Sequence, residues 1–318
     1  MISRKYLMLA QQYKGQDVTG WLESEKLDGV RAFWDGGVTR GRSVADVPWA
    51  NRVRDHRETI STGLWSRGGK VLHAPNWWLD ELPKWTLDGE LWLGRGLFQE
   101  TVSIVRRISG DWGSIKFRTF DSPGPMFAVS GDVNMGKGVP KLHIGPTIYR
   151  LLRGDLVTSA VTSPIPQTVV RDIDAMMEHV VGMGGEGLIL RKPNMLWLPK
   201  RVNWMVKVKQ VHDSECVVVG FVGGKGKLRG LFGAVEVKDG DVSFELSGFS
   251  NAEREVDGDC SGLGGEKLEA NGVKIKRGDV LTYRYASLTR DGVPREARYW
   301  RAGRIEVEDG DRIPAEDE

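Results

Sequence analysis

At 318 residues the chain is long enough for two domains of ordinary size and a substantial core. No apolar run reaches the roughly 18 residues of a membrane span, and the opening MISRKYLMLAQQYKG holds neither an apolar stretch of signal-peptide length nor a small-residue cleavage site. Two cysteines and five scattered histidines build no four-cysteine zinc site and show no ligand spacing, so the expectation is a cytoplasmic protein with two reduced thiols, a single disulfide remaining open. The net charge of +2 says little by itself, but the segment from Ile305 to Glu318 carries seven acids and one arginine, which leaves the rest of the chain at +8. Basic surface favours polyanions, and equally it can be a solvated face.

Read in chain order, the first informative stretch is SEKLDGVRAFWDG, 24–36, with Lys26, Asp28-Gly29 and Arg31. It fits a strand–turn boundary, and it fits a loop holding a nucleophilic lysine against a phosphate, since Gly lets the backbone approach a ligand and Arg binds phosphate or ribose oxygens. WTLDGELWLG reads as a strand carrying Glu90, FQETVSIVRRIS as a helix, and IKFRTFD as a strand with Phe120 and Asp121. QTVVRDIDAMMEHVVGMG has the clearest helical spacing: Val169, Ile173, Met176, Met177 and Val180 fall near one face and Gly182 is a stop. That stripe is core. GGEGLILRKP sets Glu186 between glycines before an apolar strand that ends at Arg191, and in WMVKVKQ the alternation puts Lys207 and Lys209 on one strand face, where they meet solvent or an anion.

Beyond residues 210–213 the pattern becomes short strands (ECVVVGFV, GAVEVK, VSFELSGF) with Gly/Lys/Asp turns and no convincing helix, which suits a small Greek-key barrel of the OB type. SNAEREVDGDCSGLGGEKLEANG, 250–272, reads as a polar loop, and the acidic end as frayed. The expected organisation is therefore α+β: a first domain over 1–211, an all-β barrel over 212–305, and a tail over 306–318.

Each motif is modest, but their order is specific. K-x-D-G-x-R, D-G-E, aromatic-Asp, E-G-hhh-R and K-x-K, followed by a barrel-like region, resembles the covalent nucleotidyltransferase superfamily, and within it the compact ATP-dependent DNA ligases of bacteria and viruses. The resemblance spans LMLAQQY to the Arg-rich end. It implies an adenylation domain of antiparallel sheets with helices followed by an OB-fold, ATP as cofactor with Mg2+ (or Mn2+), nicked duplex DNA as partner, no membrane association, and a monomer. Lys26 would take AMP from ATP and pass it to the nick 5′-phosphate, after which the 3′-hydroxyl displaces it. Arg31 would support the nucleotide, Phe120 would stack on adenine, Glu90 would take the ribose or a metal, Glu186 would hold a metal supported by Arg191, and Lys207 and Lys209 would neutralise phosphate oxygens.

In the same resemblance, WSRGGKVLHAPNWWLDELP, 65–83, makes Arg67 the residue that meets the nick phosphate, with Arg40 as the competing candidate. Residues 36–63 would then be an insertion, either a DNA contact or a surface loop. Lys225, Lys227 and Arg229 beside a Gly-rich turn suit DNA phosphates, and one of Arg295, Arg298, Arg301 and Arg304 would orient pyrophosphate. The chain departs from many relatives at Ser24, where a glutamate reads adenine, and has Glu25 next to the lysine instead. No NAD-specific segment precedes the domain, so NAD use is not expected. The competing readings are a GTP-dependent capping guanylyltransferase, an RNA ligase, and a non-catalytic OB-type DNA-binding module.

Overall fold

A computed structural model describes residues 7–47, 49–51, 59–123, 159–195, 197–250, 254, 267–270 and 273–300. Arg301, Arg304, Cys260, the acidic end and most of 250–272 lie outside the described residues. The chain divides into two compact units, Met1–Lys209 and Gln210–Glu318.

The first unit contains β1 (Leu9–Gln12), β2 (Leu22–Glu25), β3 (Val30–Asp35), β4 (Leu64–Ser66), α1 (Asn76–Leu79), β5 (Thr86–Trp92), α2 (Phe98–Arg106), β6 (Lys116–Asp121), β7 (Thr162–Pro164), β8 (Thr168–Val169), α3 (Ile173–Gly182), β9 (Gly187–Arg191) and β10 (Arg201–Lys209). They form two five-stranded sheets, ordered β1-β10-β9-β2-β8 and β4-β3-β5-β6-β7. The pairing is antiparallel except at one edge of each sheet, where β1 runs parallel to β10 and β7 parallel to β6.

Strand alternation sorts the side chains of these sheets into three layers. Ala32, Trp34, Leu87, Leu91 and Phe117 point from the β3–β5–β6 face onto Trp78 and Leu79 of α1, Val105 of α2, and Trp112. Leu188, Leu190 and Val206 point the other way, onto Val180, Ile173 and Met176 of α3. Between the sheets, Phe33 and Trp65 meet Met8, Val202 and Met205. The 36–63 segment is not a plain surface loop: its Val44, Val47, Trp49 and Ala50 complete this middle core, with the Trp49 ring edge-on to Phe33 and Trp65 at centroid distances of 6.2 and 5.9 Å.

Helix α3 begins later than the apolar spacing predicts. Val169 belongs to β8 and is half exposed, and the helix starts after Asp172, whose carboxylate accepts from the Asp174 and Ala175 N–H groups. A satisfied N-cap fixes the start more firmly than the stripe does.

The second unit holds β11 (His212–Gly223), β12 (Phe232–Asp239), β13 (Val242–Leu246), a hairpin of β14 (Lys267–Ala270) and β15 (Val273–Lys276), β16 (Val280–Tyr285), β17 (Ser287–Leu288), β18 (Pro294–Arg295) and β19 (Arg298–Tyr299). Its main sheet runs β13-β12-β11-β16-β19 around a core of Val218, Val235, Val237, Leu246, Leu281 and Tyr283. The expected barrel is not closed. Among the described residues, the edges of this sheet meet only at an isolated bridge, where the Tyr299 N–H donates to the Ser247 carbonyl at 2.8 Å. Cys216 is buried here, its thiol pushed up to about 12 by burial. No helix among the described residues is long and apolar enough to cross a membrane.

Candidate active site

The space between the two sheets of the first unit changes from apolar to charged along its length. Beyond the middle core it is lined by Arg31 on β3, Asp88 and Glu90 on β5, Phe120 and Asp121 on β6, Arg191 on β9, and Lys207 and Lys209 on β10. The register explains this gathering. Arg31 stands opposite Glu90, Met205 opposite Arg191, Lys207 opposite Ile189, and Lys209 opposite Gly187, so each pair shares a face. In β6 the register shifts so that Asp88 faces Asp121 while the neighbouring Gly89 faces Thr119. Phe120 is the extra residue of this bulge, which lets both Phe120 and Asp121 depart from strict alternation.

Lys26 follows β2 directly. Its backbone N–H donates to the Gly187 carbonyl at 2.8 Å, extending the β2–β9 ladder by one residue, and its Nζ donates to Glu186 Oε2. Lys209 Nζ pairs with the other oxygen of the same carboxylate at 2.8 Å. Two ammonium groups thus share one glutamate. Two glycines permit this close approach. A Cβ on Gly187, whose φ is +151°, would lie 2.2 Å from the Val208 carbonyl, and one on Gly29 would lie 2.4 Å from the Leu91 carbonyl and 2.8 Å from Glu90 Cγ.

Arg31 is held from below. Its Nε and Nη2 donate to Asp88 Oδ1 and Oδ2 at 2.6 and 2.7 Å, Nη2 also reaches the Met8 carbonyl at 3.3 Å, and its guanidinium carbon sits 4.3 Å from the Phe120 ring centroid. Burial pulls the guanidinium's pKa down, but Asp88 together with Glu90 and Asp121 outweighs it and the net direction is up. Asp88 is fully buried and also accepts from Trp197 Nε1 at 3.3 Å. Burial pushes Glu90 up to about 7 against the pull of Arg31 and Lys26. Burial likewise pushes Asp121 up to about 6 although Arg191 Nη1 donates to its Oδ2 at 2.9 Å; its Oδ1 is buried without a hydrogen-bond partner among the described residues.

A family model described as a DNA ligase OB-like domain matches residues 223–302. The DNA ligase of Haemophilus influenzae is 29% identical over 297 residues, covering 93% of this chain and 91% of that protein. A solved Lig E DNA ligase is 28% identical with a TM-score of 0.64, covering 93% of this chain and 98% of its own. A second solved structure, Pmar-Lig_Pre, shares the fold at 19% identity and a TM-score of 0.63, covering 93% of this chain and 67% of its own. Over nearly its whole length the chain is similar to bacterial and Lig E DNA ligases.

Lys26, Arg31, Glu90, Phe120, Glu186, Lys207 and Lys209 all lie on the strands and loops that line one cleft of the first unit. Arg191, expected beside Glu186, is instead spent on Asp121. Arg67 is exposed at the tip of a turn closed by the Gly69 N–H donating to the Ser66 carbonyl at 2.9 Å. Arg40 is occupied: it donates to Asp80 Oδ1 and Asn76 Oδ1 at 2.6 and 2.8 Å, tying the insertion to α1. Lys225, Lys227 and Arg229 are exposed around a single 3-10 turn, Gly226–Leu228, of the second unit. Arg298 is exposed on β19.

Sequence reasoning assigns no role to four polar side chains of this region. Asp88 and Asp121 stand inside quoted motifs, next to the residues chosen from them. Glu25 and Arg95 give no local signal: Arg95 Nε and Nη2 donate to Glu25 Oε1 and Oε2 at 2.9 and 2.8 Å across 70 residues of chain.

Proposed function

We propose that the protein seals nicks in duplex DNA through a lysine-linked AMP, with Lys26 as the nucleophile. The observation that carries this reading is the contact of Lys26 Nζ with Glu186, shared with Lys209, in the cleft that also holds Arg31, Glu90 and Phe120. Attack at the α-phosphorus is an in-line displacement, in which positioning and charge neutralisation supply most of the rate. The attacking form of Lys26 is the free amine, and Glu186 orients its Nζ. Phe120 offers its ring to adenine. Glu90, opposite Arg31 on the neighbouring strand, offers a carboxylate to the ribose, while Lys207 and Lys209 face the phosphates.

No group of three or more His, Cys, Asp or Glu that could hold a metal ion gathers among the described residues. Glu90 and Glu186 suit a hard cation that completes its shell with phosphate oxygens and water, Mg2+ or Mn2+, which would supply charge neutralisation at the α-phosphate. Arg67, Lys225, Lys227 and Arg229, all exposed, would contact DNA phosphates, so recognition would follow backbone and shape more than base sequence. By this reading the domains are the adenylation domain, 1–211, and the OB-fold domain, 212–305.

The test is covalent labelling. Protein stripped of bound AMP is incubated with Mg2+ and α-labelled ATP, GTP or labelled NAD, then run on a denaturing gel. ATP labels it, and Lys26→Ala abolishes the label and nick sealing while sealing of pre-adenylated DNA partly survives. Labelling by GTP alone would indicate a capping-type transferase, and absence of any label a binding module.

A further inference from the structure

Glu25 immediately precedes Lys26, and three elements converge on its carboxylate. Arg95, in the Gly94–Arg95–Gly96 loop after β5, grips it with a two-pronged fork. Arg118 on β6, anchored by its Nη1 donating to Ser163 Oγ at 2.7 Å, lies close enough for Glu25 to oppose the fall that burial imposes on its guanidinium. Gly185 packs against it so closely that a Cβ there would fall 2.9 Å from Glu25 Oε1 and 2.5 Å from Val180 Cγ1.

The contacts of the two segments lie side by side. Glu25 meets Gly185, the Lys26 side chain meets Glu186, and the Lys26 N–H meets the Gly187 carbonyl. Lys26 has no ladder partner of its own beyond that last bond. Where its Nζ lies therefore depends on the residue before it, and that residue is held by a loop of the opposite sheet.

We infer that the Glu25–Arg95 pair is a positioning device that sets Lys26 against Glu186 for attack on the nucleotide, with Gly185 as its seat. This rests on the ligase reading given above. Glu25 is thereby removed from base recognition: both of its oxygens are engaged by Arg95, on the face of β2 shared with Leu188 rather than with the cleft-facing Ile189. A fork at this exposure, 34% for Arg95 and 18% for Glu25, contributes little to global stability. Its effect belongs to geometry, where an error of about 1 Å costs roughly 100-fold in rate.

The test uses the full chain carrying Arg95→Met, Arg95→Lys, Glu25→Gln and the Arg95→Met/Glu25→Gln double change. Single-turnover self-adenylation is followed over a range of ATP concentrations, alongside sealing of a pre-adenylated nick, in which Lys26 forms no bond. The adenylation rate at saturating ATP should fall about 10- to 100-fold in Arg95→Met and Glu25→Gln, with the half-saturating ATP concentration little changed. The double variant should be no slower than the slower single variant, Arg95→Lys should recover part of the rate, and sealing of the pre-adenylated nick should fall far less than adenylation. Unchanged adenylation, multiplicative losses in the double variant, or parallel loss of both activities would overturn the inference. A wild-type protein that takes no label from ATP would overturn the ligase reading itself, a distinct result.

Discussion

Asp88→Ala removes the carboxylate whose two oxygens both accept from one edge of the Arg31 guanidinium, and leaves that guanidinium facing Phe120 with the Met8 carbonyl at 3.3 Å as its remaining hydrogen-bond partner among those described above. Breaking a buried ion pair from one side costs about 3–5 kcal/mol, because the surviving charge stays desolvated. Asp88 is fully buried, while 19% of the Arg31 side chain remains accessible, which places the loss near the lower end, about 3 kcal/mol. For a unit of this size that corresponds to roughly 6–12 °C in Tm. Eleven of the twelve tryptophans lie before residue 210, so urea unfolding followed by tryptophan fluorescence reports mainly on the unit concerned. The double variant Arg31→Met/Asp88→Leu should regain much of the stability without regaining adenylation, because it removes the orphaned charge together with the guanidinium proposed to support the nucleotide. A loss below about 1 kcal/mol for Asp88→Ala would mean that the pair is not desolvated, and the argument for a pre-set Arg31 would fail.

Phe120→Leu should raise the ATP concentration giving half-maximal self-labelling about 5- to 30-fold, the equivalent of 1–2 kcal/mol of lost base stacking; a lower maximal rate at unchanged ATP dependence would refute the stacking role. Asp121 keeps its proton up to about pH 6 in the folded protein, whereas an unfolded aspartate gives it up near 4. Raising the pH from about 4 to 6 therefore favours the unfolded state through this group, and in urea titrations across that window Asp121→Asn should lack the corresponding decline; identical pH slopes would count against it. Replacing Lys225, Lys227 and Arg229 together by alanine should reduce the slope of log affinity for nicked DNA against log salt by about 2–3, given about 0.9 per phosphate neutralised. An unaltered slope would remove that turn from the DNA-contacting surface.

Much of this fold could be read from alternation. WTLDGELWLG, IKFRTFD, GLILRK and WMVKVKQ all became strands, because period-two apolar spacing leaves one face for a core and the other for chemistry. FQETVSIVR became α2 on its helical spacing. Glu90 and Glu186 could be found because glycines stand beside them, whereas Phe120, Lys207 and Lys209 stand out only through the order of the motifs. The ion pairs could not be found either way. Arg31 meets Asp88 across 57 residues and Arg191 meets Asp121 across 70, and nothing local distinguishes Asp121 from Glu186 as the partner of Arg191. That choice is made by how the two sheets face each other and by a one-residue bulge in β6. The same limit hid the role of 36–63, whose Val44, Val47 and Trp49 are too widely spaced to show a period yet fill the middle core. The open sheet of the second unit was missed for a related reason: strand patterns give pairing partners but not whether the last strand reaches the first.

The carboxylate that Lys26 and Lys209 share has an electrical consequence. The pocket carries its own counter-ion, so a stray anion drifting in would have to compete with Glu186 for two ammonium groups that already have a partner. By the function proposed above, a polyphosphate escorted by a divalent cation would meet no such competition, because Glu186 would hold the cation while Lys26 and Lys209 turned to the phosphates. An exchange of partners on both sides at once would make the cleft a poor trap for sulfate, free phosphate or uncomplexed nucleotide, and a good one for the metal complex alone.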